Sequence, residues 1–263
     1  MTDRRLSAAP ATPVAAGSPA LLLIAHGSRD PRHAAVVAAL VGQVRALRPG
    51  LDVATAYLDH CAPRIPQVLD RLGPAAVAVP LLLNRAFHAK HDIPAALRAA
   101  GSDLPVADVL GPSPLLLSAL DHRLIEAAPE LASPAARART GVVLAAAGSS
   151  DPAADAATRA VAAEWRRTRG WAAVEVAYAS AAGPRVPDAV AALRRAPAVH
   201  RIAVSPYLLA PGLLPDRIAE AATASAADHL AAPLAPAPDL ARLLLTRYDE
   251  AHARTARPPA LTA

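Results

Sequence analysis

Two histidines stand where an α/β chain does its chemistry. His26 ends the apolar run Leu21-Leu22-Leu23-Ile24-Ala25 and is followed by Gly27-Ser28-Arg29-Asp30-Pro31. His88 lies in Asn84-Arg85-Ala86-Phe87-His88-Ala89-Lys90-His91-Asp92-Ile93-Pro94, directly after the apolar run from Val77 to Leu83. A neutral imidazole binds divalent iron, cobalt, nickel or zinc, and near pH 7 it also accepts protons. Two such ligands make an open site, unlike the closed four-ligand shell of structural zinc. An open, weak site suits a metal in transit or a positioned general base.

The elements around these histidines explain how they would meet. Consecutive bulky apolar residues suit a strand covered on both faces, as in a parallel sheet. Asp30 followed by Pro31 is a helix start, with Asp30 as N-cap. His26 then sits at the carboxyl end of the first strand, the edge where open α/β sheets bind ligands. Strands are expected near 20–25, 52–58, 75–83 and 104–109, and helices near 31–48, 64–72, 92–100 and 113–127. This alternation predicts a parallel sheet with helices on both faces. Pro94 places the second histidine in or just beyond the loop after the third strand.

The pattern then restarts. Val142-Val143-Leu144-Ala145-Ala146-Ala147-Gly148-Ser149-Ser150-Asp151-Pro152 restates the opening stretch, with Gly148 a full 121 residues after Gly27. Ala56-Tyr57 and Pro63-Arg64-Ile65-Pro66 recur as Ala177-Tyr178 and Pro184-Arg185-Val186-Pro187 at the same offset. Pro80 matches Pro206 at an offset of 126, which implies about five inserted residues near Arg195–His200. The chain is therefore read as two tandem doubly wound parallel-sheet domains related by internal duplication and facing each other across a cleft. The expected division is a disordered tail over 1–18, a first domain over 19–130, a linker over 131–139, a second domain over 140–254 and a tail over 255–263. His26 becomes Ala147 and His88 becomes Leu214. The glycine turn and helix start recur in both halves, so the imidazoles are the part that differs.

Composition bounds the function classes. The net charge is +5 and the pI about 10.1, but no basic run is interleaved with aromatics, so nucleic-acid binding has little support. Lys90 is the only lysine; the remaining cations are arginines, which suit planar carboxylate recognition. The single cysteine, Cys61, excludes an internal disulfide framework and fits a reducing compartment. No apolar run reaches the roughly 20 residues of a membrane span. The N-terminal segment has no apolar signal core. The expectation is a cytoplasmic protein with no membrane partner. His60 beside Cys61 is read as a packing and loop pair, and Ser28 as a helix cap or carboxylate contact. His122, His200, His229 and His252 are read as structural or surface residues.

The segments Ala25-His26-Gly27-Ser28-Arg29-Asp30-Pro31, Pro80-Leu81-Leu82, and His88 with Asp92-Ile93-Pro94 together resemble the sirohydrochlorin chelatase family, the class II chelatases of siroheme and cobalamin synthesis. The likeness covers about residues 19–252 and includes the tandem duplication of the longer members. It implies a flavodoxin-like chelatase fold and a lyase that inserts a divalent metal into sirohydrochlorin. His26 and His88 would bind the metal and assist removal of the pyrrole protons. Ser28, Arg29, Arg85, Lys90 and His91 would contact the carboxylate-rich substrate. The metal, Fe2+ or Co2+ with Ni2+ a further candidate, would be substrate and not a resident cofactor. The protein would act as monomer or homodimer. The family usually has glycine just ahead of the second histidine; here Arg85-Ala86-Phe87 stands there. His91 is a third ligand, a substrate contact or an exposed helix residue. A non-catalytic carrier of metal or tetrapyrrole is the alternative. A nucleotide-binding enzyme is disfavoured, because neither Gly-x-Gly-x-x-Gly nor a Gly-Lys-Ser/Thr loop is present.

Overall fold

The computed structural model describes residues 17–72, 75–84, 92–180 and 183–256. In the first half, β1 (Ala20–Ala25), β2 (Val53–Tyr57) and β3 (Ala76–Pro80) form a parallel sheet in the order β2-β1-β3. They alternate with α1 (Pro31–Leu47), α2 (Ile65–Leu72), α3 (Ile93–Ala99) and α4 (Pro114–Ala127). In the second half, β4 (Thr140–Ala146), β5 (Ala173–Tyr178), β6 (Arg201–Tyr207) and the short β7 (His229–Leu230) form a parallel sheet in the order β5-β4-β6-β7. Its helices are α6 (Pro152–Arg169), α7 (Val186–Arg194), α8 (Leu213–Ala224) and α9 (Pro238–Ala256).

Strand register bears out the duplication. Ala25 pairs with Tyr57 and Ile24 with Pro80 in the first sheet; Ala146 pairs with Tyr178 and Ala145 with Pro206 in the second. These pairs reproduce the offsets of 121 and 126 read from the sequence. The inserted residues fall between the end of α7 and the start of β6, where they were expected.

The apolar runs are buried on both faces, as a covered parallel sheet requires. Leu21, Leu23 and Ala25 of β1 point into a large core that also holds Val142, Leu144 and Ala146 of β4. The alternate residues, Leu22 and Ile24 in β1 and Val143 and Ala145 in β4, face two smaller outer cores. The large core joins the halves, because two helices cross between them. α9 closes the chain but packs on α1, α4 and β3 of the first half. α4 belongs to the first half in sequence but lies against β6 and β7. Tyr248 Oη donates to the Pro19 carbonyl at 2.6 Å, and the Arg247 guanidinium donates to carbonyls of Val109, Leu110 and Pro112. A buried polar knot secures the crossing. Trp165 Nε1 of α6 donates to Asp121 Oδ1 of α4 at 2.8 Å, and Arg169 Nε lies 3.3 Å from the other carboxylate oxygen.

Three local expectations are corrected. Residues 104–109 form no fourth strand in the first sheet; they contribute a single parallel bridge, Ala78 to Val106. The segment over 131–139, read as a linker, is not open chain. A 3₁₀ turn over Pro129–Ala132 and the short α5 (Pro134–Arg137) carry it, with Leu131 fully buried. Proline at helix starts and a buried leucine anchor outweigh the polar composition there. Thr255 and Ala256, placed in the tail, complete α9. Among the described residues no helix is long and apolar enough to cross a membrane.

Candidate functional site

The loop after β1 is built around a glycine that no other residue can replace. Gly27 has φ +94°, and a Cβ there would overlap the Asp59 carbonyl oxygen. That close approach lets the Asp59 amide donate to the His26 carbonyl at 2.8 Å, tying the β1 loop to the β2 loop. Ser28 Oγ accepts from the Asp30 amide at 3.1 Å. Cys61 braces the same turn from the other side: its thiol donates to the Ser28 carbonyl at 3.0 Å and accepts from the Ser28 amide at 3.4 Å. Asp30 Oδ1 then caps α1 by accepting from the Arg32 amide at 2.9 Å. The result is a fixed turn at the amino end of a helix with the His26 side chain exposed on it. Such a helix end adds partial positive charge and favours anions.

Two further imidazoles gather around His26. The His60 ring stands 6.4 Å from it, edge to face at 85°. His60 itself has φ +60°, uncommon for a side chain of this size. Asp59 holds it there: Oδ1 accepts from the His60 amide at 2.8 Å, and Oδ2 lies 3.4 Å from its Nε2. His33, on the first turn of α1, is half-buried with its ring 6.2 Å from that of Tyr57. Its buried Nδ1 has no hydrogen-bond partner among the described residues. Burial holds its pKa below the ordinary histidine value, and the nearby His26 pushes the same way, against the opposing pull of Asp30.

His33 escaped the sequence reading, although the signal was available. At the offset of 121, His26, His33 and His60 correspond to Ala147, Ala154 and Ala181. Three imidazoles of the first half are alanines in the second.

Of the residues expected to carry the chemistry, His26 is exposed, Ser28 half-buried and Arg29 exposed. Arg85, His88, Lys90 and His91 lie outside the described residues. Ile93 begins α3, with Pro94 in its first turn, so the expected helix start falls in place. Among the described residues no group of three or more His, Cys, Asp or Glu side chains is arranged to hold a metal ion. The other histidines take surface and structural roles: His122 pairs with Glu126, His229 with Glu130, and His252 stacks on Tyr248.

The second half closes on this loop. Arg32, which already pairs with Asp30, reaches Asp216 on α8 at 2.5 Å. A Cβ on Gly212 would come within 3.9 Å of Ser28 Oγ. On the other side of the seam, Asn84 Nδ2 donates to Thr158 Oγ1 of α6 at 3.2 Å. Between the halves lies a mostly apolar cavity of about 250 Å³. Its walls include Leu82, Leu83, Ala147, Ala154, Tyr178 and Tyr207. The strand ends of both halves thus meet at one seam, with exposed imidazole and guanidinium groups on the first-half side.

The comparisons with known proteins converge on the same reading. The CbiX family model matches twice, over residues 20–127 and 141–251. The chain belongs to the CbiX family. The two matches coincide with the two halves of the fold, so this chain carries the family unit in tandem. A sirohydrochlorin ferrochelatase of Priestia megaterium is 29% identical over 211 residues, covering 76% of this chain and 77% of that protein. SirB from Bacillus subtilis with Fe3+ superposes with a TM-score of 0.76 at 24% identity, over 90% of this chain and 96% of that one. SirB of Bacillus subtilis subspecies spizizenii in complex with cobalt gives a TM-score of 0.71 at 24% identity, over 89% and 95%. The structural likeness establishes the CbiX-type fold over nearly the whole chain.

Proposed function

We propose that this chain is a sirohydrochlorin chelatase, a lyase that inserts a divalent metal into the tetrapyrrole. The observation that carries this reading is the His26 loop. A rigid, glycine-locked turn presents an exposed imidazole at the carboxyl end of β1, and its twin in the second half presents Ala147. The name of the Priestia megaterium relative and the Fe3+ and cobalt in the SirB structures support the substrate and metal class.

The chemistry follows from the groups present. Insertion removes two pyrrole protons and exchanges the metal's ligands stepwise, so it needs a neutral imidazole facing the ring. His26 serves as metal ligand and proton acceptor, with His88 as the second group of the pair. Arg29, with Arg85, Lys90, His91 and Ser28, receives the substrate carboxylates. The amino end of α1 adds its dipole to the same side. Fe2+ or Co2+ is the metal, as substrate, and the product serves siroheme or cobalamin synthesis.

The test is anaerobic absorbance of the protein with sirohydrochlorin and Co2+ or Fe2+. Loss of the metal-free spectrum above the spontaneous rate, absent in His26→Ala, is the expected result and ranks the metals. A stoichiometric shift without turnover would instead identify a carrier.

A further inference from the structure

Resting on the chelatase reading, we infer that Leu213 is a substrate-positioning residue: the second half supplies an apolar shelf against which a face of the flat macrocycle packs, beside the imidazole of the first half.

A single exposed leucine elsewhere would need no explanation. Its place is what gives this one meaning. Among the described residues only two large apolar side chains are exposed, Leu213 at 66% and Leu230 at 37%. Leu230 lies in the terminal strand β7. Leu213 opens α8 and is held against the His26 loop on both sides. The preceding Gly212 approaches Ser28 Oγ, and three residues later Asp216 pairs with Arg32. The side chain is therefore kept in water at the seam, next to the residues that present His26.

The internal repeat gives an independent reason. At the offset of 126, Leu213 and Leu214 correspond to Phe87 and His88. The second half begins α8 at this point and carries two leucines in place of the phenylalanine and histidine. The cavity at the seam is also apolar, walled by Leu82 and Leu83 of the first half and by Leu208 and Leu209 of the second. A tetrapyrrole has charged arms at its rim and apolar, conjugated faces. Guanidinium groups on the first half suit the rim; an exposed leucine suits a face and not a carboxylate. Covering it with the macrocycle removes apolar surface from water on both partners.

The experiment compares wild type with Leu213→Ala, Leu213→Asp and Leu213→Met. Metal-free sirohydrochlorin is titrated by absorbance, and KM and kcat are measured with sirohydrochlorin and Co2+ varied separately. Truncation to alanine is expected to raise Kd and KM for sirohydrochlorin about tenfold, as loss of a buried leucine side chain implies. Aspartate should raise them further, and methionine should restore them. KM for Co2+, kcat and Tm should stay close to wild type. Unchanged sirohydrochlorin binding in the alanine and aspartate variants would overturn the inference while leaving the chelatase reading intact. Wild type that binds sirohydrochlorin without turning it over would sink the chelatase reading but still test the shelf by Kd. Wild type that binds none would overturn both. A change confined to oligomeric state on gel filtration would assign Leu213 to contact with a second copy and also overturn it.

Discussion

The two β-strand-to-helix loops that open the halves are the same device with different contents. The Asp59 amide donates to the His26 carbonyl at 2.8 Å, and the Ser180 amide donates to the Ala147 carbonyl at 2.8 Å. Ser28 Oγ accepts from Asp30 at 3.1 Å, and Ser149 Oγ from Asp151 at 3.0 Å. Asp30 and Asp151 each cap the helix that follows, and Gly27 and Gly148 both take positive φ. The hydrogen-bonding residues are therefore scaffold. What separates the loops is imidazole: His26 and His33 face Ala147 and Ala154 in the copy. Those two alanines line the apolar cavity at the seam, so the second half offers a hollow where the first offers imidazoles. One copy carries the imidazoles, and the other shapes the space beside them.

The sharpest way to break this comparison is to make the first loop like the second. His26→Ala should reduce metal insertion at least about 100-fold, the low end of what a positioned base contributes, before any loss of metal binding is counted. Because His26 is exposed, its stability should change by no more than about 1 kcal/mol. Anaerobic turnover and thermal melting check both halves of this expectation. A variant that kept its rate would mean the loops differ without functional consequence. Ala147→His should create no second activity, because the Leu214 position still lacks its partner.

The scaffold side is tested by Gly27→Ala. A methyl group here meets the Asp59 carbonyl and forces positive φ on an alanine, which should cost about 3 kcal/mol or more. Loss of activity would then follow loss of the fold, visible as a lowered Tm or poor soluble yield. This contrasts with His26→Ala, where activity falls and Tm holds.

The buried knot that joins the halves should be the next most sensitive point. Asp121→Ala leaves the fully buried Trp165 indole N–H without its acceptor and Arg169 without its carboxylate, a loss of about 3 kcal/mol. Burial raises the Asp121 pKa above its ordinary value, with Trp165, Arg137 and Arg169 pulling the other way. The folded state therefore binds this proton more tightly than the unfolded chain. Its contribution is full below the ordinary value of 3.8 and declines as pH rises through the raised folded value. Asp121→Asn keeps an acceptor for Trp165 and should abolish that decline, so its Tm relative to wild type should rise with pH across the acid range.

Much of this molecule was legible because the duplication acts as its own control. The extents of β1, α1 and α4 follow from an apolar run, an Asp-Pro start and a Ser-Pro start. The offset of 121 places Gly27, Ser28 and Asp30 on a shared frame, and it singles out His26. The same comparison, applied to every histidine, would also have found His33. The exchange of α4 and α9 was not legible. Periodicity shows that a helix has an apolar face, but not which sheet that face covers; here the answer depends on contacts between residues more than 100 positions apart, such as Arg123 with the Leu234 carbonyl. The missing fourth strand had a similar cause. Residues 104–109 are apolar enough for a strand, yet only Val106 bridges to β3 before the chain turns toward α4.

The smallest expected effect concerns the ion pair that pins α8 to the first loop. Arg32 bridges Asp30 and Asp216, but the Arg32 and Asp216 side chains are both largely exposed to solvent, so water and salt screen the pair. Asp216→Asn should lower Tm by no more than about a degree or two, and the difference should vanish in 1 M salt, where the Debye length is about 3 Å. Arg32→Gln should behave likewise, with a pH signature that separates it from a packing defect. Hydrogen bonding from the Arg32 side chain and amide holds the Asp30 carboxyl below its ordinary value of 3.8. A depressed acid contributes stability above that value and loses it as pH falls through the folded pKa. The gap between wild type and Arg32→Gln should thus be present at pH 7 and close in acid. If α8 is held at the seam by this pair, both variants should also raise KM for sirohydrochlorin slightly, because Leu213 sits three residues before Asp216. A shift in Tm with no change in KM would mean that Gly212 and the core already fix the shelf.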